Sequence, residues 1–181
     1  FLTDIVILHA LTKNEHAEQL HQMEKIAKSV QSMLSAATED SALISTSLYM
    51  DNSLQDFVSR QYASPQDYFS SYREYIHNSL LQGVSRITNS VIRVYADNET
   101  LINGSEFARL STVSQEPWYQ QYTADGYSPR LLFSYDETDG RQVLFLRGMN
   151  GLYSDKAECL LCIEINYSTL DRDFQNMGYN D

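Results

Sequence analysis

The segment that decides the fold reads ECLLCIEI and covers residues 158–165. Its apolar residues run consecutively and without a helical period, a pattern that predicts a strand buried in a sheet. On such a strand Cys159 and Cys162 face opposite sides, because successive side chains alternate. We therefore expect two buried, reduced thiols rather than a disulfide. The sequence holds no second cysteine pair that would complete a zinc site.

Four further strands are predicted from β-branched and aromatic runs that are separated by turn dipeptides. These strands cover residues 90–95, 100–102, 130–135 and 142–147. A short helix is expected between the second and the third of them, beginning near Pro117. Five mainly antiparallel strands with helices on one side predict an α+β domain.

The first forty residues predict one long amphipathic helix. Its apolar stripe has spacings of three and four residues and consists of Leu20, Met23, Ala27, Val30 and Leu34. We expect residues 23–34 to pack on the domain's own helices and the more polar start to extend away from them. The chain is accordingly divided into residues 1–40, a long helix, and residues 41–181, a compact module.

Two more helices are predicted between the long helix and the first strand. The apolar side chains of residues 41–62 favour a shorter helix after a break. Ser64 and Pro65 are typical of a helix start, since serine caps the first turn and proline is tolerated in it. We expect this second helix to continue through Leu80 and to end near Gly83.

The composition excludes several classes of protein. The chain has 181 residues, of which 24 are acidic and 13 basic, for a formal net charge of -11. Such a chain does not neutralise phosphates, so nucleic-acid binding is not expected. The histidines do not share a metal-binding spacing, and no nucleophile–base motif occurs, so we expect no metal, no cofactor and no enzymatic activity. Because the sequence begins without Met and has no long apolar run, we expect a soluble piece of a longer protein.

The richest candidate site is the segment PWYQQY, residues 117–122, together with polar and aromatic residues on the predicted strands. A short aromatic helix over a sheet, with an arginine nearby, suits a small polar ligand, because arginine binds carboxylates at two points. The candidate ligand-binding residues are Tyr95, Trp118, Tyr119, Tyr135, Asp136 and Arg147. The alternative is that these rings only pack the helix onto the sheet, and the sequence does not decide between the two.

The order of these segments resembles the Cache family of PAS-like sensor domains, as found in YesM-like bacterial sensor histidine kinases. The segments that carry the resemblance are LYMDNSLQ at 48–55, VIRVYADN at 91–98, EPWY at 116–119, VLFLR at 143–147 and LCIEI at 161–165. The resemblance implies a long helix packed on a five-stranded antiparallel sheet that holds the ligand. It also implies an extracellular position, a parent receptor anchored in the membrane, and a signal that passes through the first helix to a cytoplasmic kinase.

This chain departs from the amino-acid-binding members of that family. They place an arginine two positions before the Trp-Tyr pair and a tyrosine further upstream, where this chain has Glu116 and Ser111. An α-amino acid is therefore not the expected ligand. A structural dimerisation module, or a chemoreceptor sensor domain without a small-molecule ligand, is the alternative interpretation. The sequence does not decide whether the full-length receptor is a homodimer.

Overall fold

A computed structural model describes residues 2–77, 79–88, 90–136, 140–149, 159–165 and 172. The elements in chain order are α1 (Leu2–Tyr49), α2 (Asn52–Ser59), α3 (Pro65–His77), α4 (Leu80–Thr88), β1 (Val91–Ala96), β2 (Phe107–Arg109), α5 (Pro117–Ala124), β3 (Arg130–Asp136), β4 (Gly140–Gly148) and β5 (Cys159–Ile165). The chain forms two compact units, residues 1–37 and residues 38–181. The first unit is the N-terminal part of α1, and the second contains the sheet.

The apolar stripe of the first unit is not fully covered by protein. Leu20 and Met23 are each 64% exposed, whereas Val30 and Leu34 are half-buried. The expectation that residues 23–34 pack on the domain's own helices stays a prediction. Among the described helices, none has an apolar stretch long enough to cross a membrane.

The long helix does not break where the sequence suggested a break. α1 continues to Tyr49, and α2 is only the later part of the helix expected over residues 41–62. Hydroxyl side chains near the end of α1 donate to carbonyl oxygens about one turn earlier, as Thr46 does to Ala42 at 2.8 Å. These bonds satisfy the serine and threonine hydroxyls without interrupting the helix. The break falls at Asp51, whose carboxylate caps α2 by accepting from the backbone N–H of Ser53 at 2.9 Å.

The predicted start of α3 is confirmed, and its predicted end is wrong. The Ser64 hydroxyl accepts from the backbone N–H of Asp67 at 3.2 Å. The Asp67 carboxylate accepts in turn from the N–H of Ala63 at 3.1 Å, so the two side chains cap the helix together. α3 ends at His77. α4 begins as a separate helix whose first turn is capped by the Ser79 hydroxyl, which accepts from the N–H of Gln82 at 3.3 Å.

The sheet has five strands in the order β2-β1-β5-β4-β3, so the α+β class with a long first helix is confirmed. The pairs β1–β5, β5–β4 and β4–β3 are antiparallel. The pair β1–β2 is parallel, so the sheet is mixed and the expectation of an antiparallel sheet is wrong at that edge. The second strand lies at residues 107–109 rather than at the predicted residues 100–102.

A buried side-chain amide explains the parallel strand. Asn98 is 2% exposed, and its amide nitrogen donates to the carbonyl oxygens of Val58 at 2.9 Å and Arg60 at 2.8 Å. Its amide oxygen accepts from the backbone N–H of Thr100 at 3.0 Å. These bonds hold the chain after β1 at the end of α2, so residues 99–102 do not turn back as a hairpin. β2 then pairs with β1 and runs in the same direction.

Apolar clusters cover both faces of the sheet. On the helical face, Ile92 and Leu161 pack with Leu48 and Phe57 of the helices. The opposite face, called here the α5 face, has a second cluster that contains Trp118, Tyr122, Leu144 and Cys162. Cys159 belongs to the first cluster and Cys162 to the second, so the prediction that the thiols face opposite sides is confirmed. Both are free and buried.

Replacing Asn98 by alanine is expected to lower the free energy of unfolding by about 2–4 kcal/mol, because several buried polar groups lose their partner. Urea unfolding followed by circular dichroism measures the change. Asn52→Ala, at an exposed position in α2, is the matched control and is expected to stay within about 0.5 kcal/mol. Equal effects of the two variants would contradict this role of Asn98.

The buried thiols predict a loss of stability in alkali. Burial raises the pKa of Cys159 and Cys162 from 9 to about 12. Unfolded thiols therefore lose their protons first, and the thiol contribution to stability is complete below pH 9 and falls between pH 9 and about 12. We expect a slope of up to ~1.4 kcal/mol per pH unit for each thiol.

The measurement is urea unfolding at several pH values above 9, the ordinary thiol pKa. A variant with both cysteines replaced by alanine is expected to have a shallower pH dependence, with the remaining slope due to buried tyrosines. Identical slopes in the two proteins would show that the thiols ionise equally in both states.

Candidate functional site

A cavity of about 180 Å³ lies on the α5 face, and we call it the sheet cavity. Strands β1, β5 and β4 form its floor, because their side chains on this face stand in register. Arg93 is paired with Cys162 across β1 and β5, and Leu144 is paired with Glu164 across β4 and β5. Val113 and the beginning of α5 form the wall. The floor of the cavity therefore combines apolar side chains, such as Leu144 and Cys162, with the charged side chains of Arg93 and Glu164.

The α5 wall is fixed by a fully buried tyrosine. Tyr122 is 0% exposed, and its hydroxyl donates to the carbonyl of Tyr127 at 2.6 Å and accepts from the N–H of Gly148 at 2.7 Å. This places Trp118 over β1, with its ring 6.0 Å from that of Tyr95. Trp118 and Tyr95 are buried and both line the cavity.

Arg93 provides a positively charged group in the cavity. Its Nε donates to the carbonyl of Ser105 at 3.0 Å, and its Nη1 lies 3.4 Å from the Tyr95 hydroxyl. Burial by itself disfavours the charge, but the Tyr95 hydrogen bond and the nearby Cys162 and Glu164 outweigh it and raise the pKa of Arg93. Burial likewise raises the pKa of Tyr95, against an opposing effect of Arg93. At neutral pH the cavity thus has a charged guanidinium beside a protonated phenol.

Two carboxylates lie near this arginine. Glu164 is half-buried on β5, and Glu116 stands at the N-cap position of α5. The Glu116 side chain makes no capping hydrogen bond, and no ion pair or hydrogen bond reaches its carboxylate within the described residues. With the Gln142 amide, these groups offer hydrogen-bond donors and acceptors to one small polar molecule.

The predicted site residues do not form one cavity. Tyr95 and Trp118 line the sheet cavity, as expected. Tyr119 is half-buried and packs against the Trp118 ring with centroids 6.0 Å apart, but it does not line the cavity. The side chain of Asp136 lies outside the described residues.

Tyr135 and Arg147 lie on the helical face, so their placement in this cavity is wrong. Side chains alternate along a strand, and Leu132 and Leu144 face α5. Tyr135 and Arg147 are each three residues further on and therefore face the other way. Tyr135 is 73% exposed near the end of β3, an edge strand.

Arg147 instead joins the sheet to the end of α1. Its Nη1 donates to the hydroxyls of Ser45 at 3.1 Å and Thr46 at 2.8 Å. Its guanidinium carbon lies 4.9 Å from the centre of the Tyr49 ring, a cation–π distance. This set of contacts, called here the Arg147 clamp, connects β4 with the last turn of the long helix.

Sequence reasoning missed Arg93, Glu116, Gln142 and Glu164 as cavity residues. Alternation along a strand places Arg93 on the same face as Tyr95, two positions later, and Gln142 on the same face as Leu144. The order of the strands cannot be predicted from this alternation, since β5 lies between β1 and β4 only in the folded sheet. Among the described residues, no group of three or more His, Cys, Asp or Glu side chains is placed to hold a metal ion.

Fold and site together define an α+β protein with a mixed five-stranded sheet and a small polar cavity beneath a short helix. No protein-family model matches the sequence. No curated protein matches it either.

Arg147→Ala is expected to lower the free energy of unfolding by about 1–2 kcal/mol, because it removes two charge-assisted hydrogen bonds and a cation–π contact from a partly exposed position. Arg147→Lys keeps the charge but not the planar group, and is expected to recover less than half of the loss. Thermal and urea unfolding measure both changes. Arg73→Ala, at an exposed position of α3, is the control. A loss no larger than that of the control would show that the clamp contributes nothing.

Proposed function

We propose that this chain is the extracellular ligand-sensing domain of a membrane-bound bacterial sensor histidine kinase, with a Cache-type, PAS-like fold. In this proposal the sheet cavity binds a small molecule and α1 carries the signal. The observation that supports it most is the position of two features on one strand. Leu144 of β4 lines the cavity, and Arg147 of the same strand forms the clamp on α1.

The size of the cavity favours a ligand with few atoms. Its volume of about 180 Å³ is below the range of ~300–1,000 Å³ typical of drug-sized ligands. Among the described residues that line it, Arg93 is the single basic side chain, and Glu116 and Glu164 are acidic. A small polar metabolite with hydrogen-bond donors is the best fit. The amino-acid-binding Cache domains that the chain resembles have an arginine where this chain has Glu116, so an α-amino acid carboxylate is disfavoured as the ligand of this cavity.

In this proposal the signal passes along α1, because this helix is continuous. The clamp holds residues 45–49, and the same helix extends without a break to Leu2. A ligand shifts the equilibrium between two arrangements only by its difference in affinity for them. A ligand that displaces β4 at Leu144 acts on Arg147, which lies three residues further along. The proposal thus assigns the clamp to signalling and the α5 face to binding.

A second candidate is a dimerisation or interaction module, or a chemoreceptor sensor domain, without a small-molecule ligand. The exposure of Leu20 and Met23, 64% each, favours it, because an uncovered apolar stripe on a long helix suits a partner helix. Ligand binding distinguishes the candidates, since a module of this kind gives no response to metabolites.

The chain offers its own optical probe, because Trp118 is its one tryptophan and lines the sheet cavity. A library of small amines, sugars, alcohols and carboxylic acids is screened by thermal shift, and each compound that stabilises is titrated by tryptophan fluorescence. We expect one compound class to raise the melting temperature and to change the emission of Trp118.

Arg93→Ala and Glu116→Ala are expected to weaken that compound by at least about tenfold, the effect of losing one charged hydrogen bond. Arg73→Ala is the control and leaves the affinity unchanged. Binding that is insensitive to both cavity variants, or no response from any compound, would contradict the proposal and favour the interaction module.

A further inference from the structure

The outer edge of β3, called here the β3 edge, is an open edge of the sheet. β3 pairs with β4 on its inner side, residue for residue from Arg130 to Asp136 and without a bulge. On its outer side, no strand of the described residues lies beside it. An edge of this kind presents backbone N–H and C=O groups with which a further strand can pair.

The opposite edge of the sheet is better protected. It is formed by β2, which has only three residues, and Phe107 and Ala108 in it are buried. A short edge strand offers little length for pairing, which is one way in which proteins protect an edge. β3 has seven residues and contains neither proline nor lysine. It therefore lacks the usual features that prevent a second strand from adding to it.

The β3 edge also exposes two aromatic side chains. Phe133 is 65% exposed and Tyr135 is 73% exposed. They lie two positions apart and so share the helical face, where the half-buried Leu131 precedes them. Neither aromatic residue lines the sheet cavity, so the proposed ligand site does not use them. A strand added at this edge would remove apolar surface from water as well as pair the backbone.

We propose that two copies of this chain associate through their β3 edges. The two β3 strands pair antiparallel around a two-fold axis at Phe133, and the two sheets become one continuous sheet. The surface is the same on both copies, as a closed dimer with two-fold symmetry requires. This interface goes beyond the proposed sensing function and is independent of the sheet cavity.

The pleat of the strands restricts the register. Residues directly opposite each other in neighbouring strands have side chains on the same face of the sheet. The two-fold axis must therefore pass between a residue and its own copy. With the axis at Phe133, every residue of β3 has a partner in the other β3. With the axis at Leu132 or Ser134, two residues at one end of the strand lose theirs.

The register centred on Phe133 is complementary to itself. Phe133 lies opposite the same residue of the second copy, and Leu131 lies opposite Tyr135. At the ends of the strand, Arg130 is paired with Asp136 of the second copy, a residue of opposite formal charge. Cross-strand pairs of apolar, aromatic and oppositely charged residues all stabilise antiparallel sheets. The Arg130 guanidinium also pairs with Asp125 of its own chain, so the apolar pairs are the larger part of the attraction.

Sedimentation of the chain at concentrations up to about 1 mM tests the association, because a weak dimer is populated only near its dissociation constant. We expect a reversible equilibrium between monomer and dimer. Phe133→Lys places two like charges opposite each other and is expected to raise the dissociation constant at least about tenfold. Phe69→Lys, at a phenylalanine of α3 that is 51% exposed, is the matched control and is expected to leave it unchanged. Circular dichroism verifies that both variants are folded.

A cysteine variant tests the register. In the Phe133→Cys variant, oxidised glutathione is expected to link two copies by a disulfide, because the Cβ atoms of directly opposite residues lie about 4.5–5.5 Å apart. The native Cys159 and Cys162 are buried and do not compete. The Phe69→Cys variant is the control and is expected to stay unlinked under the same conditions.

Three outcomes would overturn the proposal. A wild-type chain that stays monomeric at the highest concentration would show that the β3 edge does not self-associate, and slow hydrogen exchange of its β3 amides would show that the edge is covered within one chain. A dimer that Phe133→Lys leaves unchanged would place the interface elsewhere, as would equal weakening by Phe69→Lys. A dimer in which Phe133→Cys gives no disulfide would exclude this register. Since β3 does not line the sheet cavity, ligand binding there is unaffected by any of these results.

Discussion

The burial of β5 on both faces is the constraint on which the rest of the structure depends. Residues 159–163 are all buried, between β1 on one side and β4 on the other. A strand in this position needs apolar side chains toward both layers, which is why its sequence does not alternate. The two layers then become chemically separate. The helical face has the apolar core with Phe57 and Leu161, and the α5 face keeps a small cavity above Cys162.

The sequence predicted the parts of the fold that depend on local patterns. Strand positions near 91–96, 130–136 and 159–165, and the capped start of α3, follow from residue type and spacing. The parallel edge strand did not follow, because it depends on Asn98, whose amide bonds to carbonyl oxygens of Val58 and Arg60 about forty positions earlier. A turn dipeptide after a strand favours a hairpin, and a distant hydrogen bond overrides that preference.

The sequence likewise predicted only the part of the candidate site that depends on local patterns. Trp118 at the start of α5 lines the cavity as predicted, and alternation along β1 leads from Tyr95 to Arg93. Arg147 was placed with them because arginine suits a ligand carboxylate, yet parity along β4 puts it on the other face. Its contacts with Ser45, Thr46 and Tyr49 connect the sheet to the end of α1. One strand thus joins the two faces, and the proposed sensor depends on that connection.

The central claim is that binding in the sheet cavity alters the contact between β4 and the end of α1. Hydrogen–deuterium exchange, with and without a saturating ligand found by screening, tests it most directly, since amide exchange reports local opening. The account predicts changed exchange in residues 116–124 around the cavity and also in residues 42–49 of α1. Protection confined to the cavity residues, with residues 42–49 unchanged, would contradict transmission through the Arg147 clamp.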